Sequence, residues 1–306
     1  MPKRIDFDML VEEMIQQEGL SALRPVVEKE LLHYDILFCL SEAGLLQKLT
    51  FQGGTSLRLC YGSNRFSEDL DFAGGLEFCS ADLVDMKNCI EAYLGARYGL
   101  DVTVKEPEEL RTEPEYSEVK VDKWQISVTT SPQRRDMPRQ RIKIEVANIP
   151  AYTNSVRPLT RNYSALPDGY NDTLINVESL EEVMADKLVS LPATTKYVRY
   201  RDIWDLVWLK QQSINLNSEL VKKKLKDYKT DGFEDKLQIR IDSLAEIISG
   251  GKFHQEMKRF IPANIYESSL ADERFSRYLH ESLTELLTQL QKELFGNEEK
   301  NIIFKM

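Results

Sequence analysis

Between Leu49 and Phe72 the chain reads as strand, glycine turn, helix and strand, and no other stretch restricts the fold as much. Leu49-Thr50-Phe51-Gln52 has the character of a short strand. Gly53-Gly54-Thr55 then breaks the pattern and opens a short helix around Ser56 to Tyr61, and Asp69 to Phe72 reads as a second strand. Alternate side chains of a strand share a face, so Asp69 and Asp71 project together while Leu70 and Phe72 point into the opposite layer. Two carboxylates side by side repel. Relief comes from protonation, from a salt bridge, or from a hard divalent cation such as magnesium held by oxygen ligands. Upstream, the glycine turn leaves backbone N–H groups and a hydroxyl directed at whatever sits there, a position that suits phosphate. The bland alternative is an ordinary strand-to-helix turn in which the glycines only supply positive φ.

The rest of the chain supplies a sheet and then a helical region. Asp6 to Leu49 is helical by period, with a break at Gly44. A helix over Ala81 to Tyr98 precedes strands at Leu100 to Lys105, Trp124 to Thr130 and Ile142 to Ala147. From Val177 onward the pattern is helical: Ser179 to Leu191, Tyr200 to Gln211, then amphipathic stretches out to Phe295. The expected fold is α+β with a mixed sheet, N-terminal helices and an all-helical C-terminal lobe, divided as 1–210 and 211–306. Lys222-Lys223-Lys224 reads as a solvated helix face.

The scarcity of alternatives narrows the chemistry. Cys39, Cys60, Cys79 and Cys89 form no C-x-x-C pair and sit among apolar residues as buried small side chains would, so neither zinc nor a disulfide framework is indicated. His33, His254 and His280 are far apart in helical surroundings and read as packing or surface residues. Acid–base or metal chemistry therefore falls to carboxylates and lysines. No apolar run approaches the length of about 18 residues that a membrane span needs, and the start lacks a secretory pattern, so the expectation is a cytoplasmic protein with no membrane partner. The net charge of −10 opposes broad binding to polyanions. A local basic loop stands against it: Arg134, Arg135, Arg139 and Arg141, with Lys143, are the candidate contacts for a polyanionic acceptor.

Three more stretches carry candidates. In Arg141-Ile142-Lys143-Ile144-Glu145-Val146, alternation puts Lys143 and Glu145 on one face, where Glu145 could complete a carboxylate triad or simply pair across the sheet. In the helix around Leu180 to Leu188, Lys187 falls on the apolar stripe and must snorkel to solvent or meet a negative partner, either a nucleotide phosphate or a buried Asp or Glu. At Arg201-Asp202-Ile203-Trp204-Asp205, the two aspartates reach one side of a helix start, where they serve either chemistry or capping, and Arg201 could pair with Asp205.

Taken in order, Gly-Gly-Thr-Ser-Leu-Arg-Leu, Arg65-Phe66-Ser67-Glu68-Asp69-Leu70-Asp71-Phe72, the Lys-Ile-Glu-Val strand, Glu182 with Ala185 and Lys187, and Arg201-Asp202 to Asp205-Leu206 resemble the AbiEii/AbiGii toxin family of nucleotidyltransferases, over about Phe51 to Leu209. The resemblance implies a DNA-polymerase-β-like core and a toxin of a toxin–antitoxin or abortive phage infection system. It also implies transfer of a nucleotide from an NTP, in some members onto the 3′ end of tRNA, and a cognate antitoxin as partner. Carried over, Gly53, Gly54, Thr55 and Ser56 form the triphosphate turn and Asp69 and Asp71 hold magnesium. Lys187 takes the lysine role of the third motif and Asp202 the acidic role of the fourth, while Glu145 sits where related transferases place a third acid. The gap between Gly-Gly-Thr and Asp-x-Asp is slightly longer than the family's usual spacing, a departure that falls on the loop Tyr61 to Arg65. Two alternatives stand beside this reading: a transferase that modifies a protein hydroxyl, and a GTP-binding toxin module without turnover.

Overall fold

The computed structural model describes residues 4–18, 20–110, 119–133, 138–164, 166 and 169–296. They form two compact units, each considered by itself. The first runs up to Ser179 and includes Arg259–Ala263, and the second comprises Leu180–Lys258 and the chain from Asn264 onward.

The first unit is built on a seven-stranded mixed sheet. Its elements are α1 (Phe7–Glu18), α2 (Arg24–Glu42), β1 (Thr50–Gln52), α3 (Gly53–Tyr61), β2 (Leu70–Ala73), α4 (Met86–Tyr98), β3 (Val102–Lys105), α5 (Pro107–Leu110), β4 (Val121–Val128), β5 (Gln140–Ala147), β6 (Asn154–Pro158) and β7 (Leu174–Glu178). The strand order is β3-β4-β5-β2-β1-β7-β6, with β2–β5 and β1–β7 parallel and the other neighbours antiparallel. Period-2 alternation makes one face apolar: Leu70, Phe72, Trp124, Ile126, Ile142, Ile144 and Val146 are buried on it. α2 and α4 cover this face, burying Leu32, Ile36, Leu40, Met86, Ile90 and Leu94 in the same core.

Two strands escape a reading of pattern alone. β6 is an exposed edge strand, and in Asn154-Ser155-Val156-Arg157-Pro158 no apolar face is needed. β7 buries Ile175 and Val177, but five residues that run directly into a helix are hard to separate from that helix by period. The cysteines also differ from expectation: Cys39 and Cys60 are buried, but Cys79 is exposed at the start of a short 3₁₀ turn.

His33 lies fully buried in α2, with Nε2 3.0 Å from the carbonyl oxygen of Glu68 and Nδ1 without a partner. The ring is therefore neutral, with its proton on Nε2. Burial is the largest influence on its pKa and lowers it to about 3. As pH falls below about 6.5 the unfolded chain takes up this proton before the folded one does, so stability is full above that value and is lost toward pH 3 at up to about 1.4 kcal/mol per unit. Between pH 7 and pH 5 the urea-unfolding free energy should fall by about 2 kcal/mol more in the wild type than in His33→Gln. Equal pH slopes would remove His33 as the cause.

The second unit is helical: α6 (Leu180–Ala193), α7 (Tyr200–Gln211), α8 (Ser218–Asp227), α9 (Phe233–Ser249), α10 (Gly251–Lys258), α11 (Ala263–Glu267, its first residue counted with the first unit) and α12 (Glu273–Phe295). α6 packs on α7, α8 and α9, and α12 packs on α7, α8 and α9, around Leu188, Leu206, Leu237, Leu244, Leu283 and Leu287. The chain consequently passes from the first unit to the second at Ser179–Leu180, close to where the helical pattern begins at Val177, because α6 and α7 bury their apolar faces among these helices. Lys224 is also not solvated. Lys222 and Lys223 are exposed, but the Lys224 ammonium is fully buried, 2.7 Å from Glu182 and 3.1 Å from Asp186. Among the described residues no helix is long and apolar enough to cross a membrane.

Candidate active site

In the first unit the site is a row of polar side chains on the sheet face opposite the apolar layer. The parallel β2–β5 ladder sets Asp71 beside Glu145 in register, and the antiparallel β1–β2 ladder sets Gln52 beside Asp71. Register partners in adjoining strands put their side chains on one face about 5 Å apart. Asp69, just before β2, turns back toward β5 and accepts a hydrogen bond from the Lys143 backbone N–H at 3.2 Å. On the far side of Glu145, the Lys123 ammonium donates to Glu145 Oε1 at 3.1 Å.

Burial is the largest influence on Asp69 and raises its pKa. Lys143 opposes that, and the negative charges of Glu145 and Glu68 add to it. Such a carboxyl gains from a nearby hard cation, which favours its ionised form. Three carboxylates from adjoining strands, with oxygens as the donor atoms, match what magnesium takes. Among the described residues, however, no group of three or more His, Cys, Asp or Glu side chains stands close enough together to hold a metal ion as it is.

The glycine turn is shaped by its neighbours. Gly53 has φ +79°, and a methyl group there would lie 2.9 Å from Asp71 Oδ2, so the turn and the carboxylate are in immediate contact. At Gly54 a methyl group would lie 2.4 Å from a guanidinium nitrogen of Arg65 and 3.1 Å from Ser67 Oγ. Arg65 is only 3% exposed and donates to the Phe66 carbonyl at 2.6 Å. In the sequence Arg65 only opens the stretch that leads to Asp69 and Asp71, with no role of its own. Its signal was a glycine pair facing a buried cation, which no local period reveals. The hydroxyls of the turn are engaged within the protein: Thr55 donates to the Asp69 carbonyl, and Ser56 donates to the Gly53 carbonyl at 2.8 Å. What α3 offers outward is the set of first-turn amides, which lack partners inside the helix. The loop from Tyr61 closes on Gly62 in the left-handed region, with Arg58 bridging Glu30 at 2.9 Å and the Ser63 carbonyl at 3.0 Å.

Of the basic residues expected to meet an acceptor, Arg134 and Arg135 lie outside the described residues. Arg139 pairs with Asp101, and Arg141 is exposed on β5. The ladders add cations that the sequence did not single out. Lys105 on β3 and Lys123 on β4 share the open sheet face with Arg141 and Lys143.

In the second unit, Lys187 and Asp202 are brought together. The Lys187 ammonium lies 2.9 Å from Asp202 Oδ1 and 2.7 Å from Asp205 Oδ2, so its negative partners here are buried aspartates. Asp202 also accepts from Ser190 Oγ at 2.9 Å and from Arg199. Burial is the largest influence and pushes the Asp202 pKa up, but Lys187 and Arg199 together overcome it and hold the carboxyl below the usual carboxylate range. Asp205 pairs with Lys187, while Arg201 lies 3.9 Å from Glu256. A small cleft of about 160 Å³, lined by Tyr197, Arg199, Tyr200, Arg201, Asp202 and Glu256, opens at the start of α7.

Comparison with known proteins identifies what carries this arrangement. Residues 35–295 match the family described as the nucleotidyl transferase AbiEii toxin of type IV toxin–antitoxin systems. The chain belongs to this family. AbiEii membership makes it a nucleotidyltransferase toxin, with an NTP as substrate and an antitoxin as partner. Among solved structures it is similar to MenT4, a nucleotidyltransferase toxin from Mycobacterium tuberculosis H37Rv, at 17% identity, covering 94% of this chain and 98% of that one with a TM-score of 0.53. This likeness concerns the fold. JHP933 from Helicobacter pylori is similar at 20% identity, 89% and 95% coverage and a TM-score of 0.48. No curated protein sequence matches the chain.

Proposed function

We propose that this AbiEii protein transfers a nucleoside monophosphate from an NTP to the 3′ end of tRNA in a magnesium-dependent reaction that releases pyrophosphate. The observation that carries the reading is the contact between the Gly53–Gly54 turn and the Asp71 carboxylate, because it sets anion-binding amides beside cation-binding oxygens. Asp69, Asp71 and Glu145 are the residues that would hold magnesium, which supplies charge neutralisation at the phosphates and activation of the attacking hydroxyl. The first-turn amides of α3, at Gly53, Gly54, Thr55 and Ser56, hold the triphosphate, and the buried Arg65 guanidinium behind Gly54 adds positive charge to that turn. The acceptor oxygen attacks the α-phosphorus as the bond to the β-phosphate oxygen breaks. Lys105, Lys123, Arg141 and Lys143, exposed on the same sheet face as Glu145, favour a polyanionic acceptor despite the net charge of −10. For Lys187 and Asp202, the family motifs imply the lysine and acidic roles of nucleotide transfer.

The test is to incubate the full chain with each α-labelled NTP, magnesium, and total cellular RNA or total protein. Label should appear in RNA of tRNA size and be released by digestion from the 3′ end. Label confined to protein would replace tRNA by a protein hydroxyl. NTP binding without any transfer would make the chain a nucleotide-binding toxin.

A further inference from the structure

The row that carries Asp71 and Glu145 begins with a residue that no motif marks. Gln52 is the register partner of Asp71 across the β1–β2 ladder, as Glu145 is across the β2–β5 ladder, so amide, carboxylate and carboxylate follow one another across the strands. The rest of β1 is satisfied where it stands. Thr50 Oγ1 accepts from Asn176 Nδ2 at 2.9 Å, and Phe51 packs on Phe72 with ring centroids 5.1 Å apart. Gln52 differs, because its side-chain oxygen Oε1 is buried and receives no hydrogen bond.

A buried amide oxygen without a donor costs free energy, and such atoms are rare in folded proteins unless something absent from the bare chain completes them. The polar atoms that the ladders set next to Gln52 are acceptors too. Asp71 is its ladder partner, and Asp71 Oδ2 lies against Gly53, the residue that follows Gln52. Acceptors cannot satisfy one another. A cation can, and an amide oxygen is a competent ligand for a hard one. It also adds a donor atom without adding to the repulsion between the carboxylates.

We propose that Gln52 Oε1 is a neutral oxygen ligand of the divalent cation held by Asp71 and Glu145. This rests on the reading of those carboxylates as the cation site.

The experiment titrates the full-length chain with Mn²⁺ alone, without nucleotide, and reads affinity by calorimetry or by the loss of the free-ion electron paramagnetic signal. The wild type should bind, and Asp71→Asn should not. Gln52→Met should weaken binding about tenfold, while Gln52→Glu, which keeps the oxygen and adds charge, should bind at least as tightly as wild type. Without divalent cation, Gln52→Met should melt no lower than wild type, because it removes an unsatisfied oxygen and nothing that was paired. Wild-type affinity in Gln52→Met, alongside loss in Asp71→Asn, would overturn the role of Gln52 and leave the carboxylate site standing. Weaker binding by Gln52→Glu than by Gln52→Met, or a lower melting point for cation-free Gln52→Met, would also overturn it. A wild type that binds no Mn²⁺ would overturn both.

Discussion

Asp71→Ala should lower nucleotide transfer by about 10³-fold or more while leaving a folded protein. The expectation rests on where Asp71 stands: beside Glu145 and Gln52 in the ladders, with one carboxylate oxygen against Gly53. Asp71 thus adjoins both the glycine turn and the second carboxylate strand. The fold should survive because Asp71 is only half-buried, while its strand neighbours Leu70 and Phe72, which anchor β2 in the core, are untouched. Removing one of two adjacent carboxylates also relieves like-charge repulsion, which offsets the lost contacts. The melting temperature should stay within a few degrees of wild type, and toxicity on expression should disappear with transfer. Asp71→Asn, which keeps the shape and removes the charge, should lose as much activity. Transfer retained at wild-type rate in a folded Asp71→Ala protein would falsify the central reading.

Lys187→Met should destabilise the second unit by about 3–5 kcal/mol. Lys187 is 5% exposed, and its ammonium serves two buried carboxylates at once, Asp202 at 2.9 Å and Asp205 at 2.7 Å. Its removal leaves Asp202 with Arg199 and Ser190, and takes from Asp205 the cation 2.7 Å away. Burying negative charge without that cation costs far more than losing a surface pair, whose worth is at most about 1 kcal/mol. Loss of transfer in Lys187→Met is therefore ambiguous by itself, since it reports either a missing phosphate contact or a loosened helical unit. Lys187→Met combined with Asp205→Asn separates the two, because it lowers the buried negative charge together with the positive one. Urea unfolding should show much of the lost stability restored. Transfer still absent from that double variant supports a role for Lys187 in the reaction, whereas transfer that returns with stability assigns the lysine to the fold alone.

The elements that depend on local period were legible in the sequence. The strands around Asp71, Trp124 and Ile144 alternate strictly, and each buries the face its pattern marks. The glycine turn that opens α3 was legible as well, because positive φ at Gly53 is a property of one residue and its neighbours. The partners of the buried charges were not. Lys224 looks like its exposed neighbours Lys222 and Lys223 until α8 packs on α6 and brings Glu182 and Asp186 to it. Arg65 has no apolar period to announce it, and its place behind Gly54 follows from the closure of the loop at Gly62.

From its sequence alone this protein is determined to have a mixed sheet, a helical C-terminal region, and a pair of carboxylates on one face of β2 after a glycine turn. These follow from periodicities of 2 and 3.6 residues and from the conformational freedom of glycine, all of which act within a few positions of the chain. Only the tertiary structure decided that Glu145 and Gln52 flank Asp71, that Lys187 is held by Asp202 and Asp205, and that the helical unit begins at Leu180. Strand register and buried ion pairs join segments far apart in sequence. Which segments meet is settled by the packing of whole faces, a quantity that no short stretch of residues contains.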